Sequence, residues 1–434
     1  MGATPAPAAT APKKRSRIRR AASQYRHARR SLRTPASVNS RRGLDWANFF
    51  IADVQTGFGT FVAFYLASLG WSHRNVGFAL GVSGLAAVLG LIPGGALADA
   101  VPRKRALVAA GVAMICTAAL ILAFAPTLPL VFAAMTLHGL SAGLITPTVS
   151  AISLGLVGRR GMSVRTGRNF RFSAAGTALT ATLLGAIGSF LSPWAIFVAA
   201  AALCMPAVVA LSYIRPEEID YARARNASPG ERARQFHRVI DLAKNHPLVL
   251  FAGCLVLFQF TNASILPLIG EGIAASGAAS GSLRLSGLII ASQVVVAVLA
   301  PWAGYLSEQR GRKPLLLVGI GLVAVRALLL AFAINYPSMV LTQLLDGITG
   351  AIMNVLTVLI ITDLTAGSGR FNLAQGVIAS MMGAAAALSV GITGFVFQEF
   401  GHVVSFLAIA GVAVTATAIA WIFLPETKPG QYQD

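Results

Sequence analysis

The chain is short of charge. Asp, Glu, Lys and Arg make up 12% of its 434 residues, against roughly 25% in soluble domains, and 56% of the residues are hydrophobic. A water-facing globule of this length cannot be covered with so few charged groups. Cysteine is also scarce: Cys116, Cys204 and Cys254 fall singly in different apolar stretches, where they read as small packing residues. With no CxxC pair and no Cys/His cluster at ligand spacing, neither a disulfide framework nor a metal site is expected. The G-x-x-x-x-G-K-[ST] loop that cradles phosphates is missing, which argues against directly bound ATP. No cofactor and no enzyme chemistry is expected.

Acid is wholly absent from residues 1–42, which hold twelve Lys or Arg. This Ala-, Pro- and Ser-rich segment cannot bury a core and is expected to be a disordered tail. It carries most of the +20 net charge, so the basic pI does not describe the rest of the chain or call for a nucleic-acid partner. An arm lying on an anionic leaflet suits it. An organelle transit peptide is the alternative, but heavy use of Ala, Gly and Arg over Lys suggests a GC-rich bacterial genome. No short apolar region precedes the first long one, so a cleavable secretory signal is not expected.

Long apolar runs are what the chain does have. Twelve of them lie between Trp46 and Leu424, each near the 20 residues that cross a hydrocarbon core of about 30 Å as a helix. The expected fold is an all-α membrane protein of twelve transmembrane helices. Placing the amino terminus inside puts every Lys and Arg in inner segments except Arg74, Arg284 and Arg326, as retention of cations in cytoplasmic loops requires. Both termini are then cytoplasmic, in the plasma (inner) membrane of a bacterium.

Between the second and third runs stands "GGALADAVPRKR", and "GYLSEQRGRKP" stands between the eighth and ninth. Aligning Gly95 with Gly304 puts Asp99 on Glu308 and Arg103 on Arg312, 209 residues apart. "LHGLSAG" and "LDGITGA" match at 208, and "TGRNF" echoes "SGRFN" before the eleventh run. Two homologous six-helix halves follow, 43–214 and 247–425, joined by a central cytoplasmic loop over 215–246, with a short cytoplasmic tail over 426–434. Parallel repeats of this kind build transporters whose halves rock about a central site.

The two loop motifs in register, with twelve spans and a central loop, resemble the major facilitator superfamily over about residues 44–425. The resemblance implies a secondary active transporter working by alternating access, with a small-molecule substrate, protons and the lipid bilayer as partners, expected as a monomer. It also implies a conformational latch of Asp99, Arg103 and Arg370 at the inner end of the eleventh helix, one that favours the outward-open state, with Gly95 permitting close approach. Gly304, Glu308 and Arg312 would be the symmetry-related copy. The tenth span is similar to a segment of tetracycline-type exporters, which favours efflux. The fifth-span Pro and fourth-span Arg of drug antiporters are absent, with Met135 four residues before Gly139, so that substrate is not carried over.

Ionisable groups inside spans are costly, by about 2.5 to 3.5 kcal/mol each. Asp53 lies about 10 Å into the first span and Asp346 about 12 Å into the tenth. The repeat pairs Asp53 with Asn262 and His138 with Asp346, all on helices that the resemblance assigns to the cavity lining. A carboxyl in a low-dielectric cavity can carry a proton near neutral pH, so Asp53 and Asp346 are the candidates for proton coupling. Asp346 has a second reading, as a structural ion pair with Arg326 of the ninth span; Arg168 or Arg171 could reach Asp53. His138, Asn262, Gln259, Gln293 and Asn354 are candidates for substrate contact, or equally for hydrogen bonds between helices. The function expected is proton-coupled transport of a small organic solute. An uptake symporter, an uncoupled facilitator, or a membrane sensor or scaffold with a transporter-like fold are the alternatives.

Overall fold

The computed structural model describes residues 36–71, 73–192, 194–226, 242–269, 281–332 and 335–427. Ten long helices run through them: α1 (Val38–Ser68), α2 (His73–Ala100), α3 (Lys104–Phe124), α4 (Leu128–Phe190), α5 (Ala195–Ser212), α6 (His246–Asn262), α7 (Gly281–Arg310), α8 (Arg312–Phe332), α9 (Tyr336–Leu364) and α10 (Phe371–Phe423). No strand occurs among the described residues. An α-helix satisfies its own backbone in lipid, where unpaired amides are costly, and nine helices among the described residues are long and apolar enough to cross a membrane. At 63 and 53 residues, α4 and α10 would each exceed twice the hydrocarbon core if straight. Both instead break at a glycine with positive φ, Gly158 at 67° and Gly401 at 79°, a conformation that side chains resist. Each therefore supplies two legs.

Two hydrophobic clusters divide the molecule. One gathers Leu44, Ile115, Leu122 and Phe197 from α1 to α5; the other gathers Phe251, Ile320, Phe371 and Phe406 from α6 to α10. The halves meet where α2 packs against α10 and α7 packs against α4. The second leg of α4 follows directly on Gly158 and not at Phe170, where hydropathy places it, because its polar residues Arg165 and Asn169 are buried among partners. Similarly, α1 starts at Val38, inside the stretch assigned to the tail. Ser37 donates to Glu218 through both its backbone N–H (2.9 Å) and its hydroxyl (3.0 Å).

The linker between the halves is fastened to both of them as far as Asn226. The Asp220 N–H donates to the Gly155 carbonyl of α4 at 3.2 Å. The Tyr221 hydroxyl donates to the carbonyls of Asp99 and Ala100, each at 2.9 Å. Burial pushes this phenol above its ordinary pKa, which keeps it a donor. On the other side, the Asn226 amide donates to the Thr362 carbonyl of α9 at 2.6 Å, and Asn372 of α10 donates to the Ala224 carbonyl at 3.0 Å. The segment 216–226 is thus a strap laid across one face. Residues 227–241 of the expected loop and 1–35 of the expected tail lie outside the described residues.

Candidate functional site

The strap crosses one seam between the halves, and that seam has a repeat elsewhere in the molecule. A Cβ on Gly95 would strike the backbone of Asn372, and one on Gly376 would strike that of Leu91. Shifted by 209 residues, the same contacts recur as Gly304 against Ser163 and Gly167 against Ala300. A third rung follows the same shift: Ser380 Oγ donates to the Val88 carbonyl at 2.8 Å, and Arg171 Nε to the Ala297 carbonyl at 3.2 Å. Backbones this close leave no passage between the helices, so the molecule is shut on this face.

Charge closes the first seam. Asp99 is buried at the end of α2 and accepts from the Asn372 side chain at 2.7 Å, the Leu373 N–H at 2.8 Å and the Asn372 N–H at 3.4 Å. These are orphan donors at the start of α10, where a helix also favours negative charge. Arg103 does not share in this contact. It occupies the non-helical N-cap position of α3 (φ −80°, ψ 65°) and is exposed. The neighbouring Lys104 turns inward instead, buried, and donates to the Ala98 carbonyl. Arg370 is the N-cap residue of α10.

The second seam uses different groups. Glu308 makes no hydrogen bond or ion pair among the described residues, since the α4 leg it would face continues as helix through Ser163 and exposes no free N-terminal amides there. Buried Arg312 takes over. It donates to Ser307 Oγ at 2.6 Å, to Ser163 Oγ of the other half at 3.3 Å, and to Asp363 at 3.2 Å. Glu426 accepts from the N–H groups of Arg312 (2.7 Å) and Lys313 (3.1 Å), which ties the chain after α10 to the start of α8.

Deeper in the membrane, the two halves carry matched polar pairs. His138 Nδ1 and Ser83 Oγ lie 3.1 Å apart between α4 and α2. Their repeat-mates, Asp346 and Ser292, are joined at 2.8 Å between α9 and α7. Only the second pair is charged, and it recruits a cation: Arg326 Nη1 of α8 lies 2.7 Å from Asp346 and 2.6 Å from Asn262 Oδ1 of α6. Arg326 is 1% exposed and Asp346 27%, so of the two only the carboxylate is accessible. Three helices, α6, α8 and α9, meet at one guanidinium, and α7 joins them through Ser292 on Asp346. Gln259 and Gln293 are half-buried and Asn354 exposed, without side-chain hydrogen bonds among the described residues. The Asp53 side chain lies outside the described residues.

A further charged cluster ties α1 to both legs of α4. Buried Asp45 pairs with Arg165 and, at 2.6 Å, with Arg168. Arg165 Nε donates to Asn169 Oδ1 at 2.7 Å, and Asn169 Nδ2 to Ser153 Oγ at 2.8 Å. Arg168 is therefore committed to Asp45. Nothing in hydropathy separates Asp45 from an ordinary span-end acid, but the spacing of Arg165, Arg168 and Asn169 along one helix was the available signal.

The profile of the Major Facilitator Superfamily matches residues 44–291 and 248–434. The chain belongs to that superfamily. Two uncharacterized MFS-type transporters of Mycobacterium tuberculosis, from strains CDC 1551 / Oshkosh and ATCC 25618 / H37Rv, are each 34% identical to this chain over 389 residues, 89% of this chain and 93% of theirs. In structure, the chain is similar to the proton:xylose symporter XylE bound to 6-bromo-6-deoxy-D-glucose. That likeness has a TM-score of 0.65 at 15% identity and covers 90% of this chain and 96% of that one. This member of the superfamily is therefore a multi-pass membrane transporter with the superfamily's fold, and the repeated seams are contacts between its two halves.

Proposed function

We propose that this transporter moves a small organic solute by alternating access, driven by the proton gradient, with efflux as its direction. The strapped face is cytoplasmic, both termini lie on that side of the plasma membrane, and the monomer is the working unit. One observation carries the coupling: Asp346 shares Arg326 with Asn262 at nearly equal distances. When Asp346 takes a proton, its attraction for the guanidinium falls to that of a neutral group, and the Asn262 oxygen holds Arg326 instead. Protonation thus loosens α9 from α8 while α6 stays bound to it. An unpaired charge at this depth is costly, so Arg326 stays held by the Asn262 oxygen while its tie to α9 loosens. The exporter-like tenth span supports efflux; XylE is named as a proton:xylose symporter, the alternative mode of coupling.

The test is transport of a solute panel in proteoliposomes with and without an imposed pH gradient. Asp346→Asn is expected to abolish gradient-driven accumulation while leaving counterflow in part. Asp53→Asn is the parallel variant, and the loss falls there if Asp53 carries the proton. Gradient-independent transport by the native protein would make it a facilitator, and binding without any transport a sensor or scaffold.

A further inference from the structure

A cavity of about 220 Å³ lies between α1, the two legs of α4, and Val358 of α9. Six polar residues line it: Asn48, Thr146, Ser150, Thr166, Asn169 and Ser173. None carries a charge. The charged pair nearest to it, Asp45 with Arg165, is buried and mutually neutralised behind Asn169. Ile51, Val149 and Phe170 supply apolar walls.

The hydroxyls of this cavity differ from those that are quieted by their own helix. Thr117, Thr136, Thr148 and Ser153 each donate to the carbonyl four residues earlier in their own helix, the usual way in which a membrane helix quiets a hydroxyl. Thr146, Ser150, Thr166 and Ser173 make no such bond among the described residues. Thr166 is only 2% exposed, and its hydroxyl is buried without a partner. A buried polar group left unmet costs about 1 to 3 kcal/mol, so the Thr166 hydroxyl calls for a partner in this space, beside the half-buried Ser150 and Ser173 and the exposed Thr146. Asn48 Nδ2 is committed to the Leu44 carbonyl at 2.7 Å, which leaves its oxygen as an acceptor. Asn169 is held at both ends and gives that wall rigidity.

Resting on the transport reading, we infer that this cavity binds the solute, and that the solute is uncharged, rich in hydroxyl groups and of about monosaccharide size. Hydroxyls both donate and accept, which suits a polyol and gives an organic cation or carboxylate nothing to neutralise it. The volume falls below the 300 to 1,000 Å³ typical of pockets for drug-sized ligands, which excludes bulky amphiphiles. Val358 brings the second half to the cavity, so the site touches both halves.

Binding is measured on the purified full chain in detergent, with no proton gradient. Thermal shift and calorimetry compare erythritol, ribitol, myo-inositol and D-galactose with choline, benzoate and lysine. At least one uncharged polyol is expected to bind while the three ions do not. Thr166→Val and Ser150→Ala should each weaken that binding roughly 3- to 10-fold, the effect of one neutral hydrogen bond, and Thr166→Ser should restore it. Unchanged melting of the ligand-free variants shows that they fold. Binding of the ions alone, binding of nothing in the panel, or polyol binding indifferent to both variants overturns the inference. A protein that binds a polyol but transports none overturns the transport reading and leaves this one standing.

Discussion

Replacing Asp99 by Asn keeps the shape of the side chain and removes its charge, which makes it the cleanest perturbation of the first seam. The carboxylate is 8% exposed and takes three N–H donors from Asn372 and Leu373. In Asp99→Asn one oxygen can still accept, but the new NH₂ group faces the Asn372 donors and repels them. A charge in a partly buried site at a helix terminus contributes up to about 2 kcal/mol, and the lost hydrogen bond about 1 more. Because the contact joins the two halves, it exists only while this face is shut. The loss of about 2 to 3 kcal/mol therefore appears as a shift toward the state open on this face, roughly 30- to 150-fold at 1.4 kcal/mol per factor of ten. The assay is maleimide labelling of Ser150→Cys, a cavity position, in a background where Cys116, Cys204 and Cys254 are replaced. Labelling in inverted vesicles is expected to rise and labelling in right-side-out vesicles to fall. Glu308→Gln, which removes no contact, should behave as wild type. Equal labelling of wild type and Asp99→Asn from both sides would refute the latch and leave the carboxylate a topological role only.

Two further expectations concern the membrane interior and the glycines of the seams. Arg326→Leu strips Asp346 of its cation, and breaking a buried pair costs about 3 to 5 kcal/mol; thermal stability should drop, and adding Asp346→Asn should recover part of the loss, whereas additive losses would dissolve the pair. Gly376→Ala drives a Cβ into the Leu91 backbone while Gly253→Ala meets open space, so only the first should cut turnover and raise labelling of the Ser150→Cys reporter; equal turnover of the two would refute the seam.

The repeat was legible in the sequence because corresponding residues keep a near-constant separation, and this alone set Gly95 and Gly304 in equivalent places. The neighbourhood of Arg326 and Asp346 was legible because two opposite charges lay at similar depths on consecutive antiparallel spans. Three features were not. Choosing Lys104 over Arg103 was beyond a motif, since adjacent residues at a helix start point in directions about 100° apart and only the backbone decides which turns inward. The Asp45 cluster was hidden because Asp45 sits at the edge of its apolar run, where acids are ordinarily solvated. Hydropathy also cut the second leg of α4 short, because it counts Arg165 and Asn169 as water-facing when they are buried among partners.

The strap has a consequence for biogenesis. Emerging from the ribosome, residues 36–224 meet most of their partners at once: Tyr221 finds Asp99, and Glu218 finds Ser37. Asn226 must wait for Thr362, 136 residues later, a delay of roughly 7 to 27 seconds at translation rates of about 5 to 20 residues per second. The first half can therefore mature alone, its linker tethered at one end, and the second half completes the fastening when α9 and α10 arrive. A chain cut between 227 and 241 leaves the whole strap on the first fragment, bonded to its own half and able to meet α9 and α10 of the other fragment, whereas a cut ahead of Tyr221 leaves the first fragment without its clasp.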